Sequence, residues 1–414
     1  AREKPVGPLD PAGYTPRAGR IELARGSETA TPQDLNDRTT FTSDQDYGPY
    51  RPVVRLEAQT INSAGSILSP SGRVILRAFD PARPDQINDS RIYLGPGARI
   101  DVSGSVAELP ASANLVNVPR LTSNDLRDSP LQRGGILQGM PVVIDARRSA
   151  LLFDVAPYRD GIRRTLPEKG ASGGSISIAS GGDFILRAGA ELDVRGGGID
   201  YSAGTLPVTY LVSADRRVFD VHSAPKELQY IGILDRFERS YERWGITDVF
   251  KSTLLGARVP ASFEGRPGGS ISIVASGGTV LDGRLVAGSR TSREQLLSGQ
   301  TLSSGSLTLG AVRRPGPNPD FQNENVVFAD APPLADDFNA TTPLGARVPR
   351  DTVLEVPPGG AVSIAGNRVR VEGTIGAPGG SVNIAATTTA RAGEASAVVA
   401  SGATVSTAGL WVNE

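Results

Sequence analysis

No cysteine occurs anywhere in the chain, which removes a disulfide scaffold, a thiolate metal site and a cysteine nucleophile together. A long secreted chain without cysteine also cannot be locked by disulfides in an oxidising compartment before export. Histidine occurs once, at His222, too few for a usual zinc set without help. Aromatics are only 5% of residues, so any core must be built from Val, Ile, Leu and Ala. Lysine is nearly absent: 39 of the 43 basic residues are arginine, which reads as a coding bias rather than a set of phosphate clamps. Net charge is nearly absent, at −1, because 43 basic residues offset 44 acidic ones, and this excludes a bulk electrostatic case for nucleic acid. No apolar run approaches membrane-spanning length, and the opening residues "AREKPVGPLD" carry neither an initiator Met nor a signal-peptide core. The expectation is a soluble excerpt or processed fragment, not embedded in a membrane, whose targeting signal lies elsewhere or was removed.

What the chain has in quantity is turn: 49 glycines and 31 prolines. Glycines punctuate a recurring phrase. Residues 173–197 read "GGSISIASGGDFILRAGAELDVRGG", residues 268–288 read "GGSISIVASGGTVLDGRLVAG", and residues 359–384 repeat Gly359-Gly360 as Gly379-Gly380 twenty residues later. Fainter copies occur at 65–79, 97–104, 303–312 and 401–412. Apolar and polar residues alternate within each run, with Ile176 and Ile178, Leu192 and Val194, Ile271 and Ile273, and Val382 and Ile384 on one face. Three short half-buried strands per twenty-residue unit, with glycine supplying positive φ at the corners, predict a parallel β-helix whose core is a column of stacked aliphatics. About ten rungs at ~4.8 Å would make a rod on the order of 50 Å long. A sandwich would need Asn-Gly or Asp-Gly hairpins, and a propeller would need aromatic blade signatures that are missing here.

Four stretches break the rhythm. Residues 1–55 read as an irregular or capping segment, and the β-helix as 56–414, interrupted by insertions at 107–172, 199–265 and 311–356. Within the second insertion, "SAPKELQYIGILDRFERSYERWG" places Leu228, Ile231, Leu234, Phe237, Tyr241 and Trp244 at three- and four-residue steps, which predicts a helix over 223–244. Such a helix would clasp the flank of the rod. Tyr230, Phe237, Tyr241 and Trp244 are the candidate partner-binding residues, as an aromatic patch that anchors proteins or stacks on sugars.

The units "GGSISI…GAELDVRGG", the excursion "NDLRDSPLQRGGILQG", the segment "YLVSADRRVFDV…YIGI" and the block "GGSISIVASGGTVLDGRLVAGS" together resemble the filamentous-haemagglutinin-type exoproteins of two-partner secretion in Gram-negative bacteria. The likeness spans most of 56–310. It implies a right-handed parallel β-helix, secreted through an outer-membrane pore partner and displayed at the bacterial cell surface or released as an adhesin. The family's amino-terminal secretion domain has no counterpart here, and neither has a toxin domain.

Chemistry is sparse. No nucleophile elbow, phosphate loop or zincin motif is present, so no catalytic residue, cofactor or metal site is expected. His222 reads as a solvent-facing or capping residue. Asp154, Asp160, Asp183, Asp193, Asp200 and Asp282 are weighed as paired acids of a β-helical polysaccharide lyase or glycosidase; Asp101 and Asp193 fall in equivalent "RIDV" and "ELDV" positions, facing outward beside a corner. "GGGIDYSAG" is similar to a calcium-binding nonapeptide, but it occurs once where tandem copies are needed. The Arg pairs at 147–148, 163–164, 216–217 and 313–314 read as solvated surface. The expectation is a secreted, non-enzymatic adhesin-like module whose insertions recognise a host-cell glycan or protein receptor.

Overall fold

The computed structural model describes residues 19–43, 47–79, 89–234, 236–241, 244–251, 256–275, 278–297, 302–309, 325–328, 345–348, 350, 353–356, 358–366, 368–386 and 396–409. Among them the chain is all-β, with helices of only three to five residues. Most strands fall into parallel sheets that the chain visits in a fixed order. One pass runs through Arg73–Ala78 in a seven-stranded sheet, Arg91–Leu94 in a nine-stranded sheet and Arg99–Asp101 in a five-stranded sheet. The next passes repeat this with Ser175–Ser180, Asp183–Leu186 and Glu191–Asp193, then with Ser270–Ala275, Gly278–Leu281 and Arg284–Val286. Toward the end of the chain a three-stranded sheet of Val353–Glu355, Thr374–Gly376 and Thr404–Ser406 takes the third place.

Each strand pairs in parallel with its counterpart one pass away, so the period-two alternation becomes vertical columns. The two "GGSISI" copies pair residue for residue, Ile176 with Ile271 and Ile178 with Ile273. Val74, Ile176, Ile271, Leu307, Val362 and Val382 make one continuous column. Ile61, Ile92 and Phe184 line another wall of the same core, and Ile67, Ile100 and Leu192 a third. Nearly all are below 2% exposed. At roughly 1.5–3 kcal/mol for each buried aliphatic side chain, these columns are the main favourable term holding the passes together.

The corners explain the doubled glycines. The carbonyl of Gly72 accepts Ser175 N–H at 2.9 Å, that of Gly174 accepts Ser270 N–H at 3.0 Å, and that of Gly269 accepts Ser306 N–H at 2.9 Å. A Cβ on Gly174 would collide with the Gly72 carbonyl oxygen, and one on Gly269 with the Gly174 carbonyl oxygen. Close stacking of backbone on backbone, more than left-handed φ, selects glycine here.

Two boundaries expected from the sequence move. Arg20–Leu23 and Glu28–Ala30, inside the segment expected to be irregular, pair in parallel with Thr60–Ser63 and Ser66–Leu68, so the parallel sheets begin well before residue 56. Asn325–Phe328, Gly345–Val348 and Val353–Glu355, inside the expected loop 311–356, are strands of the parallel sheets. Sequence alone hides them because Pro- and Asp-rich stretches surround runs only three or four residues long.

The first two insertions leave the sheets at the same corner, just after Asp101 and just after Asp193, and these residues are register partners. Leaving one strand spacing apart, the insertions start as a pair: Val106–Leu109 lies parallel to Gly198–Tyr201, and Ser262–Gly265 adds to the latter antiparallel. They then share one core. Leu121, Leu126, Leu137, Ile144 and Leu152 from the first insertion pack with Leu211, Val221 and Tyr230 from the second. Among the described residues of 223–244, the expected helix does not form. In its place stand Tyr230–Ile233, joined to a three-stranded antiparallel sheet with Tyr210–Ser213 and Val218–Asp220, and Arg236–Tyr241, paired antiparallel with Ile246–Lys251. No helix of the described residues is long and apolar enough to cross a membrane.

Candidate functional site

The four aromatic candidates part company in the fold. Tyr230 is 3% exposed; its ring packs edge-on against Phe219 at 6.3 Å, and its hydroxyl donates to the Pro225 carbonyl at 2.7 Å. Burial pushes its phenol up to about 12. It is a core residue of the accessory unit, and its place in a surface patch is corrected. Trp244 is 68% exposed, at the tip that joins the two strands of the hairpin, beside Gly245 at φ +62°. A left-handed residue at a tight tip favours glycine, which is why the Trp-Gly pair turns the chain there. Phe237 and Tyr241 lie on the first hairpin strand, opposite Phe250 and Ile246 respectively, with Arg239 opposite Asp248 between them. The register thus gathers three of the four candidates on one hairpin. It adds Phe250 and Ile246, which the sequence reading passed over; the β-branched run "ITDVF" after a Gly was the available signal.

A second feature lies where the insertions start. An open groove of about 590 Å³ is lined by Glu108, Leu109, Asp200, Tyr201, Ser202, Ala261, Ser262 and Phe263. Glu108, Asp200 and Phe263 form one row across the three-stranded sheet, since Asp200 is the register partner of both others. The two carboxylate residues therefore sit one strand spacing apart, ~4.8 Å at Cα. Like charges side by side on neighbouring strands are unfavourable, and neither has an ion-pair partner among the described residues. Behind the row, Tyr201 donates to Glu264 at 3.0 Å, the Arg147 guanidinium lies 4.6 Å over its ring, and Arg266 holds Glu264 at 3.2 Å. Burial lifts the Tyr201 phenol to about 12.

The other acids build turns. Asp101 accepts Ser103 N–H at 2.9 Å, Asp193 accepts Arg195 N–H at 3.0 Å, and Asp154 accepts Ala156 N–H at 2.9 Å. This is the local two-residue bond that makes Asp a turn former. Asp193 is fully buried, contrary to the outward placement expected of it, because Arg195 folds back over it at the corner where the insertion leaves. Asp183 pairs with Arg91 at 3.2 Å and accepts Gly278 N–H at 3.1 Å, with burial raising its pKa. Asp282 accepts Ala188 N–H at 3.1 Å, and Asp160 lies 3.7 Å from Arg159 on the surface. Of the residues weighed as catalytic, only Asp200 faces a groove beside a second acid, Glu108. Arg147 pairs with Asp145 at 2.9 Å, Arg148 with Asp220 at 2.6 Å and Arg217 with Asp215 at 2.6 Å, so these arginines are tied to nearby acids. Arg313 and Arg314 lie outside the described residues.

His222 is buried, not solvent-facing. Its Nε2 accepts the Asp145 backbone N–H at 2.9 Å and its Nδ1 lies 3.2 Å from the Ser149 carbonyl, so the neutral Nδ1–H tautomer satisfies both. Burial first, then the Arg148 charge, holds its pKa below 6.5. A depressed folded-state pKa means that the unfolded chain takes up the proton first, so stability is lost as pH falls below about 6.5. We expect amide exchange at 142–145 to speed up relative to the parallel sheets as pH drops from 7.5 to 5, and His222→Gln to flatten that dependence. An unchanged ratio across the range would contradict the buried neutral imidazole.

No family model, no curated protein and no solved structure matches this chain.

Proposed function

We propose that the chain is a right-handed parallel β-helical, non-enzymatic adhesin-like module, exported through an outer-membrane pore partner to the bacterial surface, that binds a glycan or protein receptor through the hairpin carrying Trp244. The repeated three-sheet order and in-register parallel pairing support the β-helix; the right hand follows the resemblance and the general preference of parallel crossovers. The observation that carries the function is the hairpin itself. The two insertions build a shared core, and the second of them carries a two-stranded ribbon with a 68%-exposed tryptophan at its tip, an arrangement that supports an aromatic contact held out from that core.

The test is a glycan array and a cell-binding assay with Trp244→Ala. The expected result is a loss of about tenfold or more in affinity, typical of an exposed aromatic anchor, with the unfolding transition unmoved. Binding that survives both Trp244→Ala and Tyr241→Ala would remove the hairpin from the reading.

The Glu108–Asp200–Phe263 row favours one rival, a secreted polysaccharide lyase or glycoside hydrolase. A retaining glycosidase needs its two carboxyl groups about 5–5.5 Å apart, which neighbouring parallel strands allow. Release of new reducing or unsaturated ends from a bound polysaccharide, abolished by Asp200→Asn, would establish it in place of the adhesin.

A further inference from the structure

Polar bonds tie the two insertions together beside their shared core, and one of the bonded groups titrates near neutral pH. Val143 N–H donates to the Thr209 hydroxyl at 2.8 Å, and Thr209 N–H donates to the Val143 carbonyl at 2.9 Å. Gln132 donates to the Leu228 carbonyl at 2.5 Å, and Arg148 pairs with Asp220 at 2.6 Å. His222 adds two more bonds. Its Nε2 accepts the Asp145 N–H and its Nδ1–H donates to the Ser149 carbonyl, so a side chain of the second insertion commits both ring nitrogens to the backbone of the first.

A proton on Nε2 is incompatible with that arrangement. The imidazolium donates from both nitrogens, and its Nε2–H would point at the Asp145 N–H, donor against donor. His222 is only 5% exposed, so water cannot take over the bond while the junction is closed. The charged groups that face the ring are Arg148 and Asp145 of the first insertion and Asp220 of its own, with Arg147 held on Asp145 at 2.9 Å. Burial disfavours the cation first and the Arg148 charge next, against the two carboxylates that favour it. Relief comes when the ring leaves the Asp145–Ser149 backbone, and that requires the insertions to part. The parallel sheets contain no histidine and have no such reason to open, since His222 is the only one in the chain.

We propose that His222 is an acid-sensitive latch: neutral, it fastens the second insertion to the first; protonated, it lets the two part while the parallel sheets stay closed. Linkage gives the sign and the size. The closed form holds its proton more weakly than the open form, so the closed form is favoured at neutral pH and loses ground as pH falls below about 6.5, by up to tenfold per pH unit. The hairpin of Arg236–Tyr241 and Ile246–Lys251 follows this junction in the same insertion, so acid frees the element that carries Trp244. Control of receptor binding by that route rests on the adhesin reading; the latch itself does not.

The experiment needs no receptor, so its failure is separate from failure of the adhesin reading. Val143, Asp145 and Thr209 each donate an amide across the junction. Between pH 6.5 and 5.5 their exchange, corrected for the intrinsic pH dependence, should speed up by one common factor of several-fold to tenfold, with 176–178 and 271–273 unmoved. A rise at Asp145 alone would mean local fraying around the ring and would overturn the latch, as would no rise at any of the three. His222→Gln keeps an acceptor and a donor without titrating, and should abolish the common rise. Should that variant fail to fold, the unmodified chain still decides the matter. Its single histidine gives one ring signal to follow by NMR, and a folded-state midpoint at or above 6.5 overturns the proposal.

Discussion

Gly269→Ala should cut the stack in two. The added methyl would sit inside the van der Waals shell of the Gly174 carbonyl oxygen, which is itself bonded to Ser270 N–H at 3.0 Å. Backbone, unlike a side-chain end, has nowhere to swing. Relief requires the pass that begins at Ser270 to lift away from the one that begins at Ser175, breaking ladder bonds and opening the Ile176–Ile271 and Ile178–Ile273 contacts. Overpacking of this kind costs on the order of 3 kcal/mol. A stack whose stability sums over neighbouring passes should respond locally, so amide protection should fall at 175–180 and 270–275 first. Gly232→Ala is the control: nothing lies within 4 Å of a Cβ there, and exchange should change little anywhere. Equal effects of the two substitutions would mean that glycine stacking does not organise the corners.

The same glycines made the parallel sheets legible in the sequence. "GGSISI" states a corner, a strand and an inward column at once, and its second copy states the register partner, so local pattern and long-range pairing agree. Where they diverge, the reading fails. The segment 223–244 has an apolar spacing of three and four that suits a helix, yet Arg236–Tyr241 finds a partner in Ile246–Lys251 and pairs along its whole length. Phe237 and Tyr241, four residues apart, share one face of a helix and equally one face of a strand. Periodicity in a six-residue window does not separate the two, and the cross-strand partner decides.

The accessory core was hidden for a different reason. Its halves lie in insertions separated by a full pass of the parallel sheets, and no property of "LTSNDLRDSPLQRGGILQG" announces that Leu126 and Leu137 will meet Leu211 and Tyr230. One clue was present: both insertions leave after an Asp in the third strand, Asp101 and Asp193, from positions that the repeat makes neighbours. Equivalent exits one pass apart put two segments side by side before either begins to fold. The groove row arises in the same way, since Glu108 and Asp200 are each unremarkable until the exits bring their strands together.

Tyr230→Ala and Trp244→Ala should therefore fail in opposite ways, although both residues belong to one sequence pattern. Removing the Tyr230 ring empties a site 3% exposed, breaks the edge contact with Phe219 and the hydroxyl bond to Pro225, and should cost about 3–5 kcal/mol. The loss should fall on the accessory unit alone. Leu121, Leu137 and Ile144 in the other insertion would gain exchange together with Leu211, while the columns through Ile176 and Ile271 stay protected. Trp244→Ala should leave every one of those amides unchanged and reduce binding directly. Deleting all of 199–265 would confound the two, because it strips half the core from 107–172; replacing 236–251 with a short turn removes the hairpin and keeps Tyr230 in place. If Tyr230→Ala left the first insertion fully protected, the two insertions would not be one cooperative unit. The hairpin would then have no shared base from which to present its tip.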